Sequence, residues 1–234
     1  THTTSSAASD VYKRQPMFVW MGEIMFRTDI SNRLFRGLSP IVHYLPGRLL
    51  HTNVIGSALF AAVSGSSAAT TATVGKITTT ELLKRNYSKS LAFGSLAGAG
   101  SLGLLIPPSI VLIVYGVLAE VSISRLFAAG VYPGILIATL YSGYIMIRCL
   151  INPSLAPTLE EKPTIKDIAF GLINLIPITI LIIIVLGSIY SGIATPSEAA
   201  AVGVLATIIL TVLTRQLSME VFLDSLMGAV RTSC

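Results

Sequence analysis

The chain has 234 residues, of which 53% are hydrophobic and only 12% charged, with a mean hydropathy of +0.77. Soluble domains carry about 25% charged residues, so this composition lies well outside their range. The net charge of +5 would suit nucleic acid, but the basic residues lie between apolar runs without interleaved aromatics. The Lys/Arg excess of cytoplasmic loops in membrane proteins explains them better, and no nucleic-acid partner is expected. Cys149 and Cys234, the two cysteines, supply no framework of disulfides or metal ligands.

Four runs contain no charged residue: 52–75, 90–119, 126–147 and 168–197. A spanning helix needs roughly 20 apolar residues. One such run could be a core helix; four predict an all-α polytopic membrane protein surrounded by a lipid bilayer.

Taken in chain order, residues 1–15 are polar and rich in Ser and Thr, and they lack the basic-then-apolar layout of a signal peptide. They are expected to be a non-native or disordered tail. Phe18 to Phe26 is apolar apart from Glu23, which is either functional or interfacial. A basic stretch follows (Arg27, Arg33, Arg36 and Arg48 against Asp29), then the run 52–75, then a second basic stretch (Lys76, Lys84, Arg85 and Lys89 against Glu81). A single span would place one of these equally positive flanks outside. A re-entrant hairpin with its tip at Ser64-Gly65-Ser66-Ser67 keeps both on the cytoplasmic side. Arms of roughly ten residues at about 1.5 Å each reach the bilayer midplane.

From Ser90 the chain crosses outward and breaks at Ile106-Pro107-Pro108-Ser109. Proline removes a donor and pushes the preceding residue out of helical geometry, so one half-helix ends here and another begins. Glu120 to Arg125 is an external turn and Leu126 to Ile147 returns inward. Residues 152–167, charged and Pro-containing, read as a cytoplasmic linker. Ile168 to Tyr190 crosses outward with a kink at Pro177. Thr195-Pro196-Ser197-Glu198 has the form of a helix start, with Thr as cap, Pro first and Glu third. Ala199 to Thr214 returns, and Ser218 to Val230 begins a further element.

A lipid-exposed helix gains nothing from a Gly/Ser cluster or a Pro pair at mid-depth, because freed backbone groups must be met by protein, water or an ion. Paired interruptions of this kind point to the binding site of a secondary transporter. Hydroxyls and helix-end carbonyls at Ser64, Gly65, Ser66 and Ser67 are hard oxygen ligands suited to sodium; small residues there would also permit close helix packing. Gly98-Ala99-Gly100-Ser101-Leu102-Gly103 matches the dinucleotide fingerprint GxGxxG only formally, since no strand precedes it and a proline break follows. Close packing, or unwound backbone facing an ion, explains these glycines and the Gly94/Gly98 pair better. His43 and His51 sit in a polar loop and read as interfacial. No nucleophile–base pair, metal-ligand cluster or phosphate cradle is present, so no enzyme activity is expected.

Several stretches together resemble the large membrane subunit of the tripartite ATP-independent periplasmic transporters. They are Pro16-Met17-Phe18-Val19 with Met21-Gly22-Glu23, Ser64 to Ala68, Gly103-Leu104-Leu105-Ile106-Pro107-Pro108-Ser109, Leu126 to Gly134, and Tyr190 to Ala201. The resemblance runs from about Pro16 onward. It implies a bacterial inner-membrane (cytoplasmic membrane) permease of elevator type, with a re-entrant helical hairpin at about 52–75 and a discontinuous transmembrane helix at about 90–119. Sodium would be the coupling ion and no cofactor is implied. The implied cargo is an organic acid, such as a C4-dicarboxylate, keto acid or sialic acid. The implied partners are a periplasmic substrate-binding protein and a small four-helix membrane subunit. The hairpin tip (Ser64, Gly65, Ser66, Ser67) and the broken helix (Gly103, Ile106, Pro107, Pro108, Ser109) would share one sodium. Residues 16–151 would form a first repeat and 168–234 the start of a second, in a partial chain. Lys76 to Thr80 departs from the family's usual proline and methionine. Two other readings are an elevator-type carrier that binds its substrate directly, and a non-transporting membrane scaffold.

Overall fold

A computed structural model describes residues 16–157 and 163–233. The stretch 1–15, expected to be a tail, and linker residues 158–162 lie outside the described residues, as does Cys234. The described residues contain helices and no strand. Helix α1 covers 16–27. It is followed by α2 (Ile30–Val42), α3 (Leu50–Ser64), α4 (Ser67–Lys84) and α5 (Lys89–Gly100). A 3-10 turn at Ser101–Leu104 precedes α6 (Ile110–Leu118), and α7 (Ile123–Ile151) runs into a second 3-10 turn at Pro153–Leu155. The last three are α8 (Ile165–Tyr190), α9 (Pro196–Leu213) and α10 (Met219–Ser233).

Helices α7, α8 and α9, of 29, 26 and 18 residues, are long and apolar enough to cross a membrane. Their most apolar stretches are only 17%, 28% and 33% buried. Leu136, Leu140, Ile176, Ile180, Ile183, Leu205 and Ile209 point outward. Water would penalise such a surface and a lipid environment does not.

Helix α2 is an element the charge pattern conceals. Its buried residues Ile30, Leu34, Leu38 and Val42 recur every fourth position, the spacing of one helical face, while Arg33 and Arg36 occupy other positions. It packs on the start of α8 so closely that a Cβ on Gly37 would lie 2.8 Å from the Gly171 carbonyl oxygen, and the reverse distance is the same. His51, read as part of a polar loop, lies instead in the first turn of α3 with no solvent exposure. Its Nε2–H donates to the Pro46 carbonyl at 2.7 Å. The chain entering α3 folds back on itself, and that return buries the ring.

Glu23 has an ordinary structural environment. Its carboxylate is 3.4 Å from Arg27, which also reaches Asp224 of α10 at 3.3 Å. One turn away the Trp20 indole donates to Ser225 Oγ at 3.1 Å and meets the Phe222 ring edge-on, so α10 is fastened along α1. At the base of the α3–α4 hairpin, Arg48 donates to the Pro157 carbonyl at 2.8 Å and the Ser88 N–H to the Leu155 carbonyl at 3.1 Å. The residue leading into α3, the α4–α5 turn and the segment that follows α7 therefore meet. The expected start of α9 holds: Thr195 and Glu198 form a reciprocal capping box with Pro196 at the first position.

Candidate functional site

The hairpin turns at one residue. Gly65 ends α3 at φ +63°, in the left-handed region, and its N–H still bonds the Ala61 carbonyl at 3.0 Å. That conformation costs a glycine little and an L side chain about 1–2 kcal/mol. Ser66 then extends (φ −125°, ψ 124°) and caps α4, its Oγ accepting the Ala69 N–H at 3.4 Å. Behind the turn, buried Ser64 Oγ lies 3.0 Å from Thr70 Oγ1.

The broken helix is unwound for a visible reason. After the 3-10 turn, the Leu105 and Ile106 N–H groups both bond the Leu102 carbonyl, at 3.1 and 2.8 Å. Pro107 and Pro108, joined by a cis peptide bond, offer no N–H to continue the ladder. Ser109 is fully buried, and its hydroxyl donates back to the Leu104 carbonyl at 2.8 Å. Helix α6 begins with the next residue.

These two interruptions meet. The Ile110 N–H, the first of α6, donates to the Gly65 carbonyl at 3.2 Å. The Pro108 carbonyl lies against the Gly65 Cα, so that a Cβ there would collide with it. A Cβ on Gly103 would lie 2.8 Å from both the Cα and the N of Ser67. Of the residues singled out from the sequence, Gly65, Ser66, Ser67, Gly103 and Pro108 are thus brought directly together, with Ser64 behind the tip and Ser109 beside Pro108. The Ile106 side chain points instead to α7, where its Cγ1 would be 2.9 Å from a Cβ on Gly134, which leaves only its backbone oxygen for the junction.

Helix α7 is the support that sequence reading missed. A Cβ on Gly130 would come within 2.7 Å of the Leu105 carbonyl oxygen. Gly130 and Gly134 have the small-xxx-small spacing that lets a helix approach another chain segment closely, and that spacing was the available signal. The GxGxxG stretch divides in the same terms. Nothing lies within 4 Å of a Cβ on Gly94, whereas one on Gly100 would collide with the Thr71 hydroxyl. The closest packing therefore sits at Gly100 and Gly103, a Cβ on Gly98 would meet the Tyr141 ring of α7 at ordinary contact distance from 3.4 Å, and one on Gly94 would meet nothing. Gly22 of α1 closes the other side of the tip, 3.1 Å from the Ser64 Cα on the same measure.

The chemistry available at this junction is that of neutral oxygens. A serine hydroxyl that donates to a carbonyl keeps lone pairs for another partner. Among the described residues no group of three or more His, Cys, Asp or Glu converges.

The family model described as "Tripartite ATP-independent periplasmic transporter, DctM component" matches residues 2–234. The chain belongs to this family. It is 36% identical over 196 residues to a C4-dicarboxylate TRAP transporter large permease protein of Vibrio cholerae, covering 80% of this chain and 41% of the relative. It is 35% identical over 198 residues to an ectoine/5-hydroxyectoine large permease of Ruegeria pomeroyi, covering 85% and 46%. It is 33% identical over 223 residues to a sialic acid large permease of Vibrio cholerae, covering 93% and 51%. The chain spans about half the length of the curated relatives it matches. Membership in the DctM family and three membrane-length apolar helices make it a multi-pass membrane protein. In this DctM-family chain the hairpin tip and the proline break form one structural unit.

Proposed function

We propose that the chain is part of the large permease subunit of a sodium-coupled secondary transporter that imports an organic acid across the bacterial inner membrane. The observation that carries this is the backbone bond from the Ile110 N–H to the Gly65 carbonyl. It joins two interruptions placed in apolar runs where a scaffold helix has no use for them. On this reading α3 and α4 are a re-entrant hairpin, and α5 and α6 are a discontinuous transmembrane helix. The oxygens of Ser64, Gly65, Ser66 and Ser67 with those of Gly103, Ile106, Pro107, Pro108 and Ser109 bind one sodium ion, which is carried as cargo. No catalytic step and no organic cofactor are involved. The unit moves as an elevator; residues 16–151 form a first repeat, 152–167 link it cytoplasmically to the next, and 168–234 begin the second.

Relatives named for a C4-dicarboxylate, a sialic acid and 2,3-diketo-L-gulonate support an organic acid as cargo, and relatives named for ectoine widen the range to be tested. The family's tripartite description supports a periplasmic binding protein and a small membrane subunit as partners. The test is uptake into proteoliposomes containing the full-length permease, its small subunit and a binding protein, with and without a sodium gradient. Sodium-dependent uptake that disappears in the variant carrying Ser66→Leu and Pro108→Leu is expected. Unchanged uptake in that variant would sink the site assignment. Uptake without any binding protein would favour a carrier that takes its substrate directly.

A further inference from the structure

The tip of the hairpin is tied to the broken helix by Gly65 and Ile110, and a second tie lies toward its base. Asn53 of α3 has no solvent exposure. Its Nδ2 donates to the Ala92 carbonyl at 3.1 Å and to Ser95 Oγ at 2.8 Å, both on α5. Ser95 in turn donates to the same Ala92 carbonyl at 3.2 Å. The carbonyl acceptor requires the amide nitrogen on this side, so the orientation of the Asn53 side chain is determined. Its Oδ1 is buried without a partner among the described residues, as is Ser57 Oγ one turn further along α3.

Burying an amide costs desolvation that its hydrogen bonds only partly return, whereas an apolar side chain of the same shape carries no such cost. Asn53 is therefore a poor device for stability. It is a good device for register, because an amide bridging two fixed acceptors tolerates no sliding of α3 along α5. Sliding would displace the Gly65 carbonyl from Ile110, since α5 leads directly into the break.

We infer that Asn53 is a positioning residue which, with Ser95, sets the register of the hairpin against the broken helix and thereby the spacing of the oxygens at the tip. This rests on the sodium-site reading above. The test is sodium-dependent uptake by the complete reconstituted system carrying Asn53→Leu, Ser95→Ala or both. The sodium concentration for half-maximal uptake should rise at least about tenfold in Asn53→Leu and less in Ser95→Ala. The double variant should be no worse than Asn53→Leu alone, because both remove the same tie. Uptake at saturating sodium and the melting temperature without sodium should stay near wild type. Moving the amide to the other helix, with Asn53→Ser and Ser95→Asn together, should restore most of the sodium affinity. An unchanged sodium midpoint in folded Asn53→Leu, or additive effects in the double variant, would overturn the inference. Loss of stability with no change in sodium midpoint would do so too. Wild-type uptake that does not respond to sodium would instead overturn the reading on which the inference rests.

Discussion

Replacing Gly65 by Ala adds one methyl group at the place where the two interruptions touch. At φ +63° the substitution costs about 1–2 kcal/mol in backbone strain alone. The new Cβ collides with the Pro108 carbonyl oxygen, which is backbone and cannot swing aside like the end of a long side chain. Relief requires the tip and the break to separate, which stretches the Gly65–Ile110 bond, a net loss of about 0.5–1.5 kcal/mol. The sum is about 1.5–3.5 kcal/mol. If all of it falls on the conformation proposed to bind sodium, affinity drops about 10- to 300-fold. The measurement is the melting temperature of the purified full-length permease in detergent, titrated with sodium against choline. Gly94→Ala is the control, because nothing lies within 4 Å of its added Cβ and Ala in a helix interior should stabilise by about 0.5–1 kcal/mol. A folded Gly65→Ala protein with the wild-type sodium midpoint would show that the contact between tip and break does not govern the ion.

Three further outcomes follow from the packing. Gly130→Val should push the Leu105 carbonyl away from α7, because the added Cβ would lie 2.7 Å from that oxygen, and weaken the proposed sodium-dependent stabilisation without touching the hairpin. Uptake and melting curves unchanged from wild type would remove α7 from the site's support. Trp20→Phe deletes the bond to Ser225 at a cost of about 0.5–1.5 kcal/mol. Amide exchange in α10 should accelerate about 2- to 10-fold while that in α7 stays unchanged; equal effects on both helices would contradict a local clamp. Leu136→Arg places a charge midway along α7, on an outward face 60% exposed. It should reduce membrane insertion by about 2.5–3.5 kcal/mol, read as the inserted fraction in a translocation assay, whereas a water-facing surface would accept it.

The elements legible in the sequence were those with a strong local cause. Pro107 and Pro108 remove two donors in succession, and Thr195-Pro196-Ser197-Glu198 satisfies its own helix start, so the break and the start of α9 are legible from residue chemistry, although α5 already ends at Gly100, ahead of the prolines. Charge was a poorer guide. In the basic stretch before 52 it conceals α2, although Ile30, Leu34, Leu38 and Val42 carry a helical period. The helix is amphipathic at the level of α8's first turns, where one face meets protein and the other accepts arginines. Asn53 is not legible in the sequence because a single amide in an apolar run has no motif; its meaning depends on Ala92 and Ser95, which only the α3–α5 packing brings near. Gly130 and Gly134 did have a spacing, but nothing in the sequence names the segment they admit.

The hairpin arms exceed the expected roughly ten residues: α3 has 15 and α4 has 18. The sequence boundary at Lys76 marks where charge begins, and a helix need not stop there. Helix α4 continues through Glu81 to Lys84, with Lys76 Nζ over the Phe26 ring at 5.8 Å and Glu81 bridged to Lys84 and Arg85. These last turns can lie in the headgroup region or beyond it. The part of α4 without charge, 67–75, is about 14 Å long at about 1.5 Å per residue, close to half of a hydrocarbon core about 30 Å thick. The longer helix is thus compatible with the proposed tip near mid-depth. On the proposed topology its charged end lies on the cytoplasmic side, and displacement there would move the tip residues Ser66 and Ser67 with the helix.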